Sequence, residues 1–143
     1  MNYARSFKDL LVYQEARELS RAIFAISKQF PKEEVYALTD QVRRSSRAIG
    51  AAIAEAWAKR RYEKHFVSKL TDADGEQQET QHWLETAVDC AYLTPTEAQQ
   101  LLATCQRIGR LIGGMIAKSD QFCTQPSHLR EPPADYFIPP PTP

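Results

Sequence analysis

The chain has 143 residues, the length of one domain that can bury a single core without disulfides or metals. Its 18 basic and 18 acidic residues cancel, which argues against a general polyanion binder but allows a local basic patch. There is no apolar run of the roughly 20 residues that a membrane span needs, and no secretion signal at the start. Three cysteines without a close pair are typical of reduced thiols, so we expect a cytoplasmic protein that does not contact a membrane.

The first two predicted helices are separated by Pro31. Before it, apolar residues from Val12 to Phe30 recur at alternating spacings of four and three residues, the pattern of a helix in a bundle. A proline disfavours helical geometry in the residue before it, so the first helix ends there. The second helix starts within PKEEVYAL, residues 31–38, whose glutamates suit the positive end of a helix dipole, and it runs through residues 41–61.

The third predicted helix covers about residues 62–93, and the fourth starts at the clearest boundary of the chain. Thr94 is a good N-cap there, Pro95 suits the first helical position, and Glu97 completes a capping box. This helix continues to about Phe122. Glycines destabilise a helix interior, so the three within this one predict the close approach of another helix. They are Gly109, Gly113 and Gly114.

The composition changes at Thr124, after which seven of the nine prolines occur. We therefore predict an all-α fold, an antiparallel up-down-up-down four-helix bundle over residues 1–123, with a proline-rich extended tail over residues 124–143. Cys90 and Cys105 lie among apolar residues and are expected in the core, whereas Cys123 at the end of the last helix is expected to be exposed.

Polar residues interrupt the apolar stripe of the third helix at Gln77, Thr80 and Gln81. A buried glutamine without hydrogen-bond partners would destabilise the fold by a few kcal/mol. Two explanations stay open at this point. Either the polar layer meets polar groups on another helix, or it faces a subunit interface or channel.

The second helix carries most of the unbalanced charge. Residues 41–61, QVRRSSRAIGAAIAEAWAKRR, hold six cations and one acid, whereas residues 71–106 hold seven acids and no Lys or Arg. Arginine suits both carboxylate and phosphate, so the cations are either neutralised by this protein or bind a nucleic acid. The candidate nucleic-acid-binding residues are Arg43, Arg44, Arg47, Lys59, Arg60 and Arg61.

A strip of small residues on the same helix, away from its core stripe, predicts close packing against a neighbouring subunit. The strip consists of Gly50, Ala51, Ala54 and Ala58. In the tail, Tyr136, Phe137 and Ile138 form a bulky apolar triplet among prolines. This triplet either folds back onto its own bundle or a neighbouring subunit, or docks a protein partner.

Nothing in the sequence indicates a catalytic residue, a metal site or a cofactor. The three histidines, His65, His82 and His128, are scattered. Glu79 and His82 form a single Glu-x-x-His match, where a di-iron bundle needs two. No phosphate-binding loop or dinucleotide fingerprint is present. We therefore expect a protein that is not an enzyme.

Three segments of the chain together resemble a known family. They are FKDLLVYQEARELS, FPKEEVYALTDQVRRSSRAIGAAIAEAW and SKLTDADGEQQETQHWLETAVDCAYL. They are similar to the four-helix bundle proteins found as reading frames in intervening sequences of bacterial large-subunit ribosomal RNA genes. Over residues 52–56 this chain has Ala-Ile-Ala-Glu-Ala where the family usually has Asn-Ile-Ala-Glu-Gly, and its tail has no counterpart in the family core.

The resemblance implies a ring-like homopentamer with a role in nucleic-acid biology. A related protein is the accessory subunit of diversity-generating retroelements, which assists a reverse transcriptase. The function that we predict is therefore an RNA- or DNA-binding accessory protein, associated with a reverse transcriptase or a ribosomal RNA element. The alternative is a structural adaptor ring that docks a protein partner through its tail.

Overall fold

The structure, a computed structural model, describes residues 6–123 and 133–141. The predicted all-α fold is confirmed. Four long helices and a short fifth one follow each other in the chain, and they are α1 (Leu11–Ile26), α2 (Asp40–Ala58), α3 (Glu63–Asp89), α4 (Pro95–Ala117) and α5 (Ser119–Phe122). Short helical turns connect α1 to α2, namely the 3-10 turns Ser27–Gln29 and Lys32–Glu34 and the π-helical turn Val35–Thr39.

The four long helices form a closed bundle. Each packs against its neighbours in sequence, and α1 also packs against α4. The links after α2 and α3 are short, which makes consecutive helices antiparallel. Their buried apolar side chains form one continuous core, and its large fully buried members include Leu19, Ile49, Phe66, Leu84 and Ile112.

The third helix is shorter at both ends than the predicted residues 62–93. Tyr62 has extended backbone geometry and only precedes α3. At the other end, Ala91 has a φ of 61°, a left-handed conformation that stops the helix. The Ala91 amide donates to the Val88 carbonyl at 2.9 Å, and the Tyr92 amide donates to the Ala87 carbonyl at 2.9 Å. Glycine usually occupies such a position, so alanine there concealed the helix end.

The predicted start of the fourth helix is confirmed. The Glu97 amide donates to Thr94 Oγ1 at 3.1 Å, and the Thr94 amide donates to Glu97 Oε1 at 2.8 Å. The helix does not continue unbroken to Phe122, however. It ends at Ala117, and Lys118 separates it from α5.

The polar layer of α3 finds its partners within the chain. Thr80 is fully buried, and its Oγ1 lies 2.8 Å from Ser45 Oγ on α2. Gln77 Nε2 donates to Asp74 Oδ1 at 2.9 Å, and Gln77 Oε1 accepts from Gln81 Nε2 at 2.7 Å. A cross-helix contact therefore accounts for the buried threonine, while the glutamine is satisfied along its own helix.

Two of the three cysteine predictions were wrong. Cys105 is buried as predicted, but Cys90 is exposed and Cys123 is buried. Cys90 lies at the end of α3, where the chain leaves the bundle. Cys123 follows α5, which folds against α3 and α4. Burial raises the pKa of the Cys123 thiol to about 11.

The described part of the tail returns to the bundle. Phe137 is only 6% exposed, and its ring meets Trp57 edge-on at a centroid distance of 6.0 Å. It pairs with Leu10 in an isolated antiparallel bridge, and the Ile138 amide donates to the Asp9 carbonyl at 2.8 Å. An extended tail over residues 124–143 stays a prediction, and residues 124–132 and 142–143 lie outside the described residues.

Candidate nucleic-acid interface

The structure divides the six predicted basic residues among three places. Arg43 and Arg47 lie beside α1, Arg44 points toward α3, and the other three follow the end of α2. At a rise of about 1.5 Å per residue, Arg60 is roughly 20 Å along the helix from Arg47. The six residues therefore do not form one site.

Arg44 is neutralised by the acidic third helix. Its Nη1 lies 3.3 Å from Glu76 Oε2, and its Nη2 contacts Glu79 Oε2. These hydrogen bonds raise the pKa of Arg44. The Trp83 indole donates to the same Glu79 oxygen at 3.0 Å, and this bond, together with Arg44, lowers the pKa of Glu79. Self-neutralisation, one of the two sequence-based alternatives, thus applies to Arg44.

Arg43 and Arg47 instead surround an aromatic side chain of α1. The Cζ atoms of Arg43 and Arg47 lie 4.7 Å and 5.4 Å from the centroid of the Phe24 ring. The Nζ atom of Lys28 lies 4.8 Å from the same centroid. Phe24 remains 39% exposed, although it is a large apolar residue. Two cations from α2 and one from the turn after α1 therefore converge on one exposed ring.

Next to this cluster, α1 and α2 enclose a groove with a volume of about 450 Å³. Arg17, Arg21 and Arg47 line it, and its floor consists largely of the small residues Gly50, Ala51 and Ala54. Arg17 Nη1 donates to the Tyr13 hydroxyl at 3.2 Å. Arg47 belongs to both features and joins the groove to the cations around the ring.

We call this surface the α1–α2 basic face. Its residues are Arg17, Arg21, Phe24, Lys28, Arg43 and Arg47. No ion pair involves any of its five cations within the part of the chain that the structure describes. Glu15, one of the two acids of α1, points elsewhere and pairs with Arg107 of α4 at 2.6 Å.

Sequence reasoning missed the four members that belong to α1 and the turn after it. They are Arg17, Arg21, Phe24 and Lys28. Their positions follow the steps i, i+4, i+7 and i+11, which place them on one side of a helix. A helical projection would have grouped them, whereas counting charge along the chain singled out only α2.

The basic residues at the end of α2 have a different environment. Arg60 stacks on the Trp57 ring, with its Cζ atom 3.5 Å from the centroid, and its Nε donates to the Trp57 carbonyl at 2.9 Å. Burial lowers the pKa of Arg60. Lys59 and Arg61 are exposed. Arg60 therefore contributes to packing at this end of the bundle, apart from the α1–α2 basic face.

The apolar triplet of the tail makes contacts within its own chain. The Tyr136 ring packs edge-on against Phe122 at a centroid distance of 5.6 Å, and Lys118 Nζ lies 5.2 Å from the centroid of the same Tyr136 ring. Phe137 is buried, and Ile138 is half-buried. The structure agrees with the fold-back alternative. Docking of a protein partner through the triplet stays a prediction, and it requires release of these contacts.

The fold and the face together can be compared with known proteins. The family model described as 23S rRNA-intervening sequence protein matches residues 8–114. The chain belongs to this family. The resemblance predicted from the sequence is therefore confirmed, and the α1–α2 basic face lies wholly within the matched residues. The tail lies outside them.

A solved structure supports the same fold. It is a crystal structure of a protein with unknown function from the S23 ribosomal protein family of Bacteroides thetaiotaomicron. The likeness has a TM-score of 0.68 at 26% identity and covers 74% of this chain and 98% of that one. No curated protein matches the chain.

No helix among the described residues combines the length and the apolar character that crossing a membrane requires. Residues 6–123 and 133–141 also contain no group of three or more His, Cys, Asp or Glu side chains arranged to hold a metal ion.

Proposed function

We propose that this protein is a non-enzymatic accessory protein that binds RNA or DNA through the α1–α2 basic face. The observation that carries the proposal is the convergence of five cations on one face in a chain whose net charge is zero. A cation whose only purpose is solubility does not need to lie near others of the same sign. Here Lys28 and Arg43 lie no more than about 10 Å apart, because each is within 5 Å of one ring centroid.

The energetics favour an anionic ligand. Two like charges 10 Å apart in water repel by roughly 0.4 kcal/mol, and the repulsion rises where the protein displaces water. That distance is close to the Debye length at physiological salt, about 8 Å, so the repulsion is only partly screened. A phosphate chain removes the repulsion and releases its own counterions on binding. Binding of a polyanion therefore releases more free energy at this face than at an equal number of dispersed cations.

The family supports RNA as the first ligand to test, since its name connects it with 23S rRNA. Self-association is part of the proposal. The resemblance suggests a homopentamer, which would repeat the face five times. A second groove, between α2 and α3, has small residues that allow a neighbouring helix to approach closely, namely Ala48, Ala51, Ala52 and Gly75. Light scattering should then return five times 16.3 kDa.

The binding test compares two triple variants that remove the same charge. The first is Lys28→Gln, Arg43→Gln and Arg47→Gln, on the face. The matched control is Lys59→Gln, Arg61→Gln and Lys64→Gln, at exposed positions beyond the end of α2. Fluorescence anisotropy measures the affinity for labelled RNA and DNA over a range of salt concentrations.

We expect the face variant to weaken binding by about tenfold or more and to reduce the slope of log K against log salt by about 2 to 3. The control should bind nearly as tightly as the unmodified protein. The reverse ranking would place the site at the far end of α2. Absence of binding to both RNA and DNA at low salt would refute the proposed function.

A further inference from the structure

We infer that Phe24 is the positioning residue of the α1–α2 basic face, and that the face binds the phosphate backbone of a nucleic-acid duplex rather than unpaired bases. The inference rests on the proposed function, and it adds to it the form of nucleic acid that is bound. It also assigns a role to an exposed apolar side chain that core packing does not explain.

The Phe24 ring gathers side chains that would otherwise move independently. Arg43 and Arg47 come from α2, and Lys28 comes from the turn after α1. Each has its charged group within 5.4 Å of the ring centroid. Cations are attracted to the face of an aromatic ring, so the ring holds all three in one place before a ligand arrives. Pre-ordering of long side chains strengthens binding, because less rotamer freedom is lost when the ligand binds.

Arg43 is held most firmly. Its Nε donates to Ser27 Oγ at 2.7 Å, and Ser27 is only 2% exposed. The Ser27 hydroxyl in turn donates to the Phe24 carbonyl at 3.2 Å. Arg43 Nη1 has no hydrogen-bond partner among residues 6–123 and 133–141. One edge of the guanidinium is therefore fixed, and Nη1 remains available for a phosphate oxygen.

The aromatic rings of this surface are unsuited to stacking on bases. A base binds a single-strand-binding protein by lying on an aromatic face, and here three cations already lie over Phe24. Tyr13 lies against the backbone of Gly50. The Phe7 ring packs edge-on against the Tyr13 ring at a centroid distance of 4.9 Å. None of the six residues that define the face is Asn or Gln, the residues that read adenine edges.

The dimensions of the face agree with a duplex. From Arg17 to Lys28 the basic residues extend about 16 Å along α1 and the turn after it, which is close to the axial length of five base pairs. The cations of α2 form a second row, and packed helices lie about 8–10 Å apart. A duplex presents rigid rows of phosphates to two such rows. A flexible strand would first have to be ordered along them.

The test uses two variants of Phe24. Phe24→Leu keeps an apolar side chain but removes the ring, and Phe24→Trp keeps a ring. Affinity is measured by anisotropy for duplex RNA, duplex DNA and single-stranded oligo-A and oligo-U of equal length. We expect duplexes to bind more tightly than single strands, and the two single strands to bind equally. Phe24→Leu should weaken duplex binding by about fivefold, and Phe24→Trp should restore it to within about twofold. Thermal unfolding should remain cooperative in both, with a midpoint only a few degrees lower in Phe24→Leu, so that a loss of binding is not a loss of folding.

Each outcome bears on the inference. Tighter binding of either single strand than of the duplexes, or wild-type affinity of Phe24→Leu, would overturn it. If the triple variant of Lys28, Arg43 and Arg47 loses binding while Phe24→Leu does not, the proposed function holds and the positioning role fails. Preference for duplex RNA over duplex DNA, or the reverse, identifies the natural duplex, and both agree with backbone recognition.

Discussion

Two adjacent glycines in α4 offer a test of how the tail sits on the bundle. Among the described residues, and apart from its chain neighbours and its own helix backbone, an alanine side chain at Gly113 would meet no heavy atom within 4 Å. At Gly114, the added Cβ would lie 3.1 Å from Tyr136 Cζ and closer still to the Tyr136 hydroxyl. The same substitution at neighbouring positions of one helix should therefore have opposite consequences.

The magnitudes follow from the contacts. Replacing glycine by alanine within a helix stabilises it by about 0.8 to 1 kcal/mol, and Gly113→Ala should gain this amount in full. Gly114→Ala gains the same helix propensity but displaces Tyr136 from its edge-on contact with Phe122. Loss of that aromatic pair destabilises by about 0.5 to 1.5 kcal/mol, and the nearby contact of Lys118 with the Tyr136 ring adds to the loss. We expect the two variants to differ in unfolding free energy by about 1 to 2 kcal/mol.

Thermal unfolding followed by circular dichroism measures the difference, with all variants at one protein concentration because the proposed self-association would shift the midpoint. Gly113→Ala should raise the melting temperature by about 4 °C, and Gly114→Ala should leave it unchanged or lower it. In a chain that already carries Tyr136→Ala, Gly114→Ala should raise the melting temperature as much as Gly113→Ala does in the unmodified chain. Equal stabilisation by the two substitutions in the unmodified chain would show that Tyr136 does not rest on Gly114.

Two further predictions concern titration. Tyr92 donates to Glu34 Oε2 at 2.8 Å, and this bond raises the pKa of Tyr92 to about 12. Because the folded state holds the proton more tightly, this stabilisation is complete below the unfolded pKa near 10 and is lost as the pH rises to 12. In Tyr92→Phe, the free energy of unfolding should fall less steeply between about pH 10 and pH 12 than in the unmodified protein. At pH 8, iodoacetamide should modify exposed Cys90 well before Cys123, whose thiol pKa burial raises to about 11. Equal rates of alkylation would contradict the burial of Cys123.

The sequence was enough to predict the bundle because its signals are local. The spacing of apolar residues in α1 follows the helical repeat. The helix itself ends at Ile26, before the predicted limit at Pro31, and a 3-10 turn leads to Phe30, whose extended backbone is the geometry expected before a proline. The capping box of Thr94 and Glu97 needs only residues three apart. The end of α3 was not predicted because its local signal is missing. Ala91 has the left-handed backbone conformation that normally occurs at a glycine.

The candidate site was predicted only in part. Arg43 and Arg44 are adjacent in the chain, yet one approaches Phe24 of α1 and the other pairs with Glu76 of α3. A rotation of about 100° per residue turns neighbouring side chains toward different helices. Whether an arginine is neutralised thus depends on which side chains of the neighbouring helix lie opposite it. The composition of one helix does not give that information.

The sequence by itself determined the four long helices, their approximate limits and the family, because helix periodicity, capping and turn chemistry act over a few residues. Only the tertiary structure decided where Phe137 packs, which cysteines are buried, and which cations gather around Phe24. Each of these outcomes joins residues far apart in the chain. Their contacts depend on how each helix is rotated about its own axis and on where residues 133–141 pack against the bundle. Both are determined by the packing of the whole core.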